Sequence, residues 1–457
     1  MPNLGQDAAA IISPYEERRI GEEAMVQIRQ QLNFVDDPEL SDYIRNLGKR
    51  LTLPLLDDER EYQFFLIGHP TINAFALPGG FIGTHSGLIT NAASESELAS
   101  VLAHEIAHVT QRHWPRLVAA QKERSGLTMA AILASLVLAS SGDVNASGIA
   151  VAAMAADVDS QLAFTRGFER EADRIGIRLL AAARLDPRAM ATFFERLAAA
   201  NQFSGANIPE FMRTHPVTND RIAEARNSAT KLPQHGRVSS SRFYHFRART
   251  RAYHQPDPGQ ALAHFSTAMK KKNIPKAEQR AAQYGLTLVH LRLGNFAVAN
   301  KNVAHLRKQN PGELRYQLAE ADIAIAAGRA KRGLGLYHRI YTRNRMQLWV
   351  ARRYAENLLN QRQPRRALGV LRLALKQAPK DPALNKLMAK AAGETGNLVQ
   401  AHRAMAEYYV ISGNPYEAIN QLGIAARMAR KDYYALTAIR ARTSELEAAI
   451  ARNKARR

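Results

Sequence analysis

Turn residues recur at a fixed interval in the second half of the chain. Gly294 and Gly328 are 34 residues apart. A further 34 falls on Arg362, within Asn360-Gln361-Arg362-Gln363-Pro364, and another 34 on Gly396. Pro311 and Pro379 stand 68 residues apart, twice that interval, each after a predicted helix. A single closed core does not impose such a period. It requires one supersecondary unit, repeated, in which each copy buries against its neighbours a face it cannot bury alone. The segments between the turns have helical composition, so the predicted unit is helix–turn–helix. Ala297, Ala330, Ala367 and Ala401 fall just after the turns, where small side chains let paired helices approach.

A chain of 457 residues has room for two or three domains. Its 46% hydrophobic and 23% charged residues are those of a globular protein. Cysteine is absent, which excludes disulfides, a thiolate metal site and a catalytic thiol, and leaves cytosol and periplasm both open. The net charge of +22 is unevenly placed. Residues 236–457 hold 41 Lys and Arg against 13 Asp and Glu, leaving 22 against 28 for residues 1–235. The balance changes at 231–241, Lys-Leu-Pro-Gln-His-Gly-Arg-Val-Ser-Ser-Ser, which has linker composition. The expected organisation is therefore a domain over 1–235, a linker over 236–250 and the repeats over 251–457. The basic half attracts anionic surfaces. No nucleic-acid partner is expected, because alanine-rich repeats offer no aromatic platform for bases.

The start, Met1-Pro2-Asn3-Leu4-Gly5, has no basic run followed by an apolar core, so no signal peptide is read in this chain. No stretch reaches the roughly 20 apolar residues of a membrane span. Residues 127–138 and 148–156 are apolar and split by Ser140-Ser141-Gly142-Asp143, the pattern of a helical hairpin. Segment 127–156 could be a lid, a peripheral membrane contact or a buried hairpin, and composition does not choose among them.

The first half mixes two periodicities. Residues 14–52 carry apolar positions at helical spacing, including Ile20, Met25, Ile28, Tyr43 and Leu47. Over 61–90 the pattern alternates, and Pro78-Gly79-Gly80 marks a turn, predicting a small sheet. Ser94-Glu95-Ser96-Glu97 is a capping box that opens a helix running towards Pro115. Further helices are predicted over about 163–183 and 188–201.

The helix after Ser94 carries His104-Glu105-Ile106-Ala107-His108. Histidines four apart lie one turn apart on one helix face and can bind one zinc ion, with Glu105 beside the metal to take a proton from water. A catalytic zinc has a third protein ligand and one open position. The next helix offers Phe168-Glu169-Arg170-Glu171-Ala172-Asp173, in which Glu169 and Asp173 share a face. One of the two can bind zinc while the other accepts the N–H of a ligating histidine. Taken alone, these acids also read as a solvated face paired with Arg166, Arg170 and Arg174.

Together these motifs resemble the gluzincin family that includes the CAAX prenyl protease and the heat-shock membrane protease HtpX. The resemblance implies an α+β, mostly helical metalloprotease domain with a small sheet and one zinc ion per chain. It makes Glu169 the third ligand beside His104 and His108, Asp173 the supporting carboxylate and Glu105 the catalytic base. Thr214-His215-Pro216 with Arg221 resembles the family's downstream element, which implies that His215 and Arg221 steady the oxyanion. His215 could instead approach the metal and hold the enzyme latent. Asn73, Ala74, Phe75, Ala76 and Leu77 resemble the strand that binds substrate backbone by strand addition. The 34-residue period is that of the tetratricopeptide repeat, an all-α solenoid. Gluzincins without membrane spans that carry such repeats resemble the barrel-assembly proteases of Gram-negative bacteria. That resemblance implies a periplasmic endopeptidase that degrades misfolded or stalled outer-membrane β-barrel proteins and assists their assembly. The repeats would dock on the barrel-assembly machinery. The alternative is a non-catalytic chaperone that binds partners through its repeats around a structural zinc.

Overall fold

The computed structural model describes residues 12–55, 58, 60–125, 158–203, 209–234 and 239–455. Segment 127–156 lies outside them. The chain forms two compact units, residues 1–293 and 294–457.

The first unit is α+β. Helix α1 (Pro14–Gln31) opens with Ser13 and Glu16 in a reciprocal capping box and Pro14 in its first turn. Helix α2 (Pro38–Thr52) is capped by Asp37. Strands β1 (Gln63–Ile67), β2 (Ala74–Leu77) and β3 (Phe81–His85) form one sheet in the order β1-β3-β2. β1 runs parallel to β3, with Gln63 opposite Phe81, and β2 runs antiparallel to it, with Ala74 opposite Thr84. The central strand β3 is buried along its whole length, whereas β2 is an edge. The turn between β2 and β3 has Gly79 and Gly80 at φ of 76° and 90°, a region open to glycine. Helix α1 sits directly on that turn: a Cβ on Gly21 would lie 1.9 Å from the Pro78 carbonyl oxygen.

Short helix α3 (Ser86–Asn91) leads into α4 (Glu95–Thr110), which is buried along nearly all its length. Ser94 caps α4 by accepting from the Glu97 N–H, and Glu97 reaches back one residue beyond the cap, to the Ala93 N–H. The helix does not continue to Pro115. It ends at Thr110, Arg112 adopts φ of 53°, and α5 (His113–Ser125) starts with Pro115 in its first turn, where the missing N–H has no partner to lose. Helices α6 (Val158–Ala182), α7 (Ala189–Phe203), α8 (Glu210–Thr214) and α9 (Asn219–Thr230) follow. The described residues contain no helix long and apolar enough to cross a membrane.

Residues 241–250, expected within a linker, instead form most of α10 (Ser241–His254). The serines before it have partners in the first unit. Ser239 Oγ accepts from the Glu95 N–H, and Ser240 donates through N and Oγ to the Glu95 carboxylate. Tyr43 donates to the same carboxylate at 2.6 Å. Arg249, buried, pairs with Asp37 at 2.7 Å. A stretch that reads as polar linker is thus an interior polar network. Helices α11 (Pro258–Lys270) and α12 (Lys276–Arg292) complete this unit.

The second unit is all helix. After α13 (Phe296–Gln309) come the pairs α14/α15 (Leu314–Ala326, Ala330–Arg343), α16/α17 (Leu348–Asn360, Pro364–Gln377) and α18/α19 (Pro382–Glu394, Leu398–Ile411). Helices α20 (Pro415–Met428) and α21 (Tyr433–Ala455) close it. The period holds at the backbone. Gly294, Gly328, Arg362 and Gly396 all have positive φ, at 76°, 77°, 54° and 80°. The small residues sit five positions after each of these turns, at Ala299, Gly333, Ala367 and Ala401. That corrects the expected Ala297 and Ala330, the first of which is exposed. A Cβ on Gly333 would lie 2.4 Å from Ile325, so there the paired helices touch backbone to side chain. Tyr337 and Tyr354 stack between successive pairs, and Asp322 accepts from both Tyr337 and Arg353.

Candidate metal centre

Three elements converge on one point: the last two turns of α4, the middle of α6 and the end of α8. Helix α4 supplies His104, Glu105 and His108, all buried but His108, which is partly exposed. The Nε2 atoms of His104 and His108 are 3.0 Å apart. Helix α6 supplies Glu169, whose carboxylate lies 3.2 Å from His104 Nε2 and 3.3 Å from His108 Nε2. His215, the residue after α8, brings Nδ1 to 3.0 Å from Glu169 and 3.2 Å from His104 Nε2. Ligand atoms of His104, His108, Glu169 and His215 all lie within 4.8 Å of one another.

Each position has a local cause. His215 follows a five-residue helix that is tied to the segment just before β2 by a hydrogen bond from the Phe211 N–H to the Ile72 carbonyl. The fully buried Phe211 ring stacks on His215, with centroids 4.9 Å apart, and meets His104 edge-on. Asp173, one turn along α6 from Glu169, accepts from His104 Nδ1 at 3.0 Å. Arg221, in the first turn of α9, donates to Asp173 through Nε at 2.8 Å and Nη2 at 2.9 Å. Its Nη1 reaches the Pro216 carbonyl and the Glu169 carboxylate. The guanidinium is buried and turned on these partners, which places it as a brace behind Asp173 and Glu169.

Burial opposes charge on these groups, and their neighbours restore it. The imidazoles of His215 and His104 hold Glu169 well below the usual carboxylate range, and His104 and Arg221 hold Asp173 below it. Against its own burial, His104 is raised to about 10 by Glu169 and Asp173. Burial lowers His108. Glu105 stands apart: its buried Oε1 has no hydrogen-bond partner among the described residues and lies 3.5 Å from His215 Nε2.

The donor set suits a zinc ion. Two imidazole nitrogens and a carboxylate aimed at one point, with Nδ1 of His104 held as a donor so that Nε2 is the nitrogen free to give its lone pair once its proton leaves, suit a zinc site. Two Nε2 atoms at 3.0 Å facing a carboxylate have no better shared partner than a cation. The expected ligands His104, His108 and Glu169, the base Glu105 and the supporting Asp173 are therefore brought together. His215 joins the ligand group, and Arg221 stands behind it. Residues Asn73–Leu77 lie at the sheet edge, and β2 packs on α4. Both polar side-chain atoms of buried Asn73 lack a partner among the described residues. Phe211 and His113 escaped sequence reasoning. His113 alone left a signal, as a third histidine five residues after the motif.

Residues 36–229 match Peptidase family M48. The chain is similar to the β-barrel assembly-enhancing protease of Escherichia coli strain K12, at 32% identity over 429 residues, 93% of this chain and 87% of that protein. It is similar to the Yersinia pestis protein of the same name at 31% over 431 residues, again 93% and 87%. Over 180 residues it is 32% identical to the mitochondrial metalloendopeptidase OMA1 of Schizosaccharomyces pombe, covering 39% of this chain and 50% of that protein.

Proposed function

Because this chain belongs to the β-barrel assembly-enhancing proteases of peptidase family M48, we propose that it is a zinc endopeptidase acting on misfolded or stalled outer-membrane β-barrel proteins in the periplasm. His104, His108 and Glu169 would hold the ion. A bound zinc supplies a Lewis acid and lowers the pKa of water. Glu105 takes a proton from the attacking water and returns one to the leaving amine. Its buried oxygen, which has no hydrogen bond among the described residues and lies 3.5 Å from His215 Nε2, is the observation that carries this reading. Asp173 fixes the His104 tautomer, and Arg221 holds Asp173 and Glu169 in place. The free edge of β2, next to α4, suits addition of a substrate strand along Asn73–Leu77.

His215 has two readings, and its placement favours one. With Nδ1 among the candidate ligand atoms, it would take the position an attacking water needs, which supports a latent resting state over an oxyanion donor. The basic repeat unit suits docking on protein partners, here the barrel-assembly machinery. Four protein donors would also fit a structural zinc, and with it the non-catalytic chaperone.

The test compares purified wild type with Glu105→Gln, His104→Ala and His215→Ala. The proposal expects about one zinc per chain in the wild type and in Glu105→Gln. It expects zinc to be weakened in His104→Ala, cleavage to be absent in Glu105→Gln and cleavage to be raised in His215→Ala. A Glu105→Gln variant that cleaves at the wild-type rate would refute the catalytic assignment. Barrel assembly retained in Glu105→Gln and lost on deleting residues 294–457 would assign assembly to the repeats.

A further inference from the structure

The two histidines of α4 are braced differently. His104 Nδ1 meets the Asp173 carboxylate directly. His108 Nδ1 meets no carboxylate in the described structure and lies 2.9 Å from Nδ1 of His113. The other nitrogen of His113, Nε2, is 3.1 Å from Glu171 Oε2, which also accepts from Arg116 Nη1 at 2.9 Å. His113 is only 3% exposed. Its ring lies flat on Phe168, with centroids 4.3 Å apart and planes 11° apart, and Arg116 covers the same phenyl ring.

The proton positions follow from the order of partners. A carboxylate only accepts, so Glu171 requires His113 to carry its hydrogen on Nε2. His113 Nδ1 is then a lone pair, and His108 Nδ1 must donate to it. That leaves the His108 Nε2 lone pair facing Glu169 and His104 Nε2, where a cation belongs. The chain Glu171, His113, His108 thus does through one extra imidazole what Asp173 does for His104.

We propose that His113, held by Glu171, is a positioning residue that fixes the tautomer and ring orientation of His108 for the metal. The inference rests on the reading of His104, His108 and Glu169 as ligands, and it extends that site to residues assigned no part in it. The backbone is arranged for this contact. Between the end of α4 and His113, Arg112 adopts φ of 53°, a conformation unusual for an arginine. That turn is clamped from outside, since buried Arg112 donates to Glu17 at 3.1 Å and to the Ile12 carbonyl. The reversal swings His113 back beneath His108. One short segment of α6 then serves the whole site: Glu169 as ligand, Asp173 behind His104, and Glu171 behind His113.

The experiment measures zinc affinity by chelator competition, and the visible spectrum of the cobalt-substituted full chain. It uses wild type, His113→Phe, His113→Asn and Glu171→Gln. Phenylalanine keeps the ring and its stacking on Phe168 but removes the acceptor, whereas asparagine restores one. Phe should weaken zinc binding about 10–100-fold and shift the cobalt bands, and Asn should recover most of both. Glu171→Gln should weaken binding in the same direction, and it decides the question if His113→Phe does not fold. Wild-type affinity and an unchanged cobalt spectrum in the folded Phe variant, or in Glu171→Gln where Phe fails, would overturn the inference while leaving the ligand assignment standing. A wild type that binds no zinc would overturn both.

Discussion

Replacing Asp173 by asparagine isolates what a carboxylate behind a metal ligand contributes. The side chain keeps its size, and its remaining oxygen can still accept from His104 Nδ1, now at 3.0 Å. What disappears is the charge and one of the two bonds that Arg221 makes to it, at 2.8 and 2.9 Å. Partners of metal-ligating histidines account for about 10–100-fold in affinity, or about 1.4–2.7 kcal/mol. Asparagine preserves the geometry, so its loss should fall near about tenfold, with Asp173→Ala towards about 100-fold. Arg221 is not stranded, because Glu169 and the Pro216 carbonyl remain. The destabilisation of the metal-free protein should therefore be about 2 kcal/mol, below the roughly 3–5 kcal/mol of a buried charge left alone. Chelator competition gives the first number, urea denaturation the second. The acid limb of the stability profile gives a third check. Asp173 and Glu169 are held below their unfolded values of 3.8 and 4.5, so they contribute stability that is present above those values and lost as pH falls through the depressed ones. The variant should lose the Asp173 share of that slope. Zinc affinity within about twofold of wild type in both Asn and Ala variants would show that Asp173 does not steer His104.

Three further outcomes test other parts of the molecule. Gly21→Ala places a methyl group 1.9 Å from the Pro78 carbonyl oxygen and 2.9 Å from Phe81. It should destabilise the first unit by about 3 kcal/mol in denaturant unfolding. A neutral result would mean that α1 does not sit on the β2–β3 turn as described. Arg362→Gly should stabilise the repeats by about 0.5–1 kcal/mol by relieving a left-handed arginine, whereas Gly328→Ala should destabilise them by about 1 kcal/mol. Equal effects at both sites would break the equivalence of the turns. Zinc uptake near neutral pH should expel the proton that His104 holds up to about 10, so titration calorimetry in buffers of different ionisation enthalpy should report about one proton released. Affinity should then rise with pH, and a buffer-independent enthalpy would show that His104 is already neutral.

Features confined to one helical turn, or to one fixed period, were legible in the sequence. His104 and His108 are neighbours on any helix, and the turn recurring every 34 residues shows in the numbering alone. Even so, the period located the turns better than the contacts. Ala297 and Ala330 fit the spacing by eye, but helix phase after a left-handed turn buries the fifth residue, so Ala299 and Gly333 carry the close approach. The linker expectation fails for a related reason. Gly-Arg-Val-Ser-Ser-Ser has the composition of a tether, and nothing local reveals that Ser239 and Ser240 meet Glu95, some 144 residues earlier in the chain. Serine caps a helix end as readily as it lines a loop, and only the partner tells which.

The site shows the same division, with a functional consequence. The resemblance of Thr214-His215-Pro216 with Arg221 to the family's downstream element implies a role at the oxyanion, yet Arg221 is turned on Asp173, 48 residues earlier in the chain, through Nε and Nη2. The sequence hides the place of His113, because a helix through the zinc motif, continued straight to Pro115, would carry position 113 to a different face from 108. The break at Arg112 changes that phase. Neither proline nor glycine marks the break. It is imposed by Glu17, 95 residues earlier, and by the Ile12 carbonyl. A backbone conformation that arginine disfavours persists here because a buried ion pair and a carbonyl over-determine it. The first turn of α1 and Ile12 before it are thereby coupled to the orientation of His108. Removing the Glu17 carboxylate should therefore loosen zinc binding through Arg112 and His113, although Glu17 touches none of the ligands.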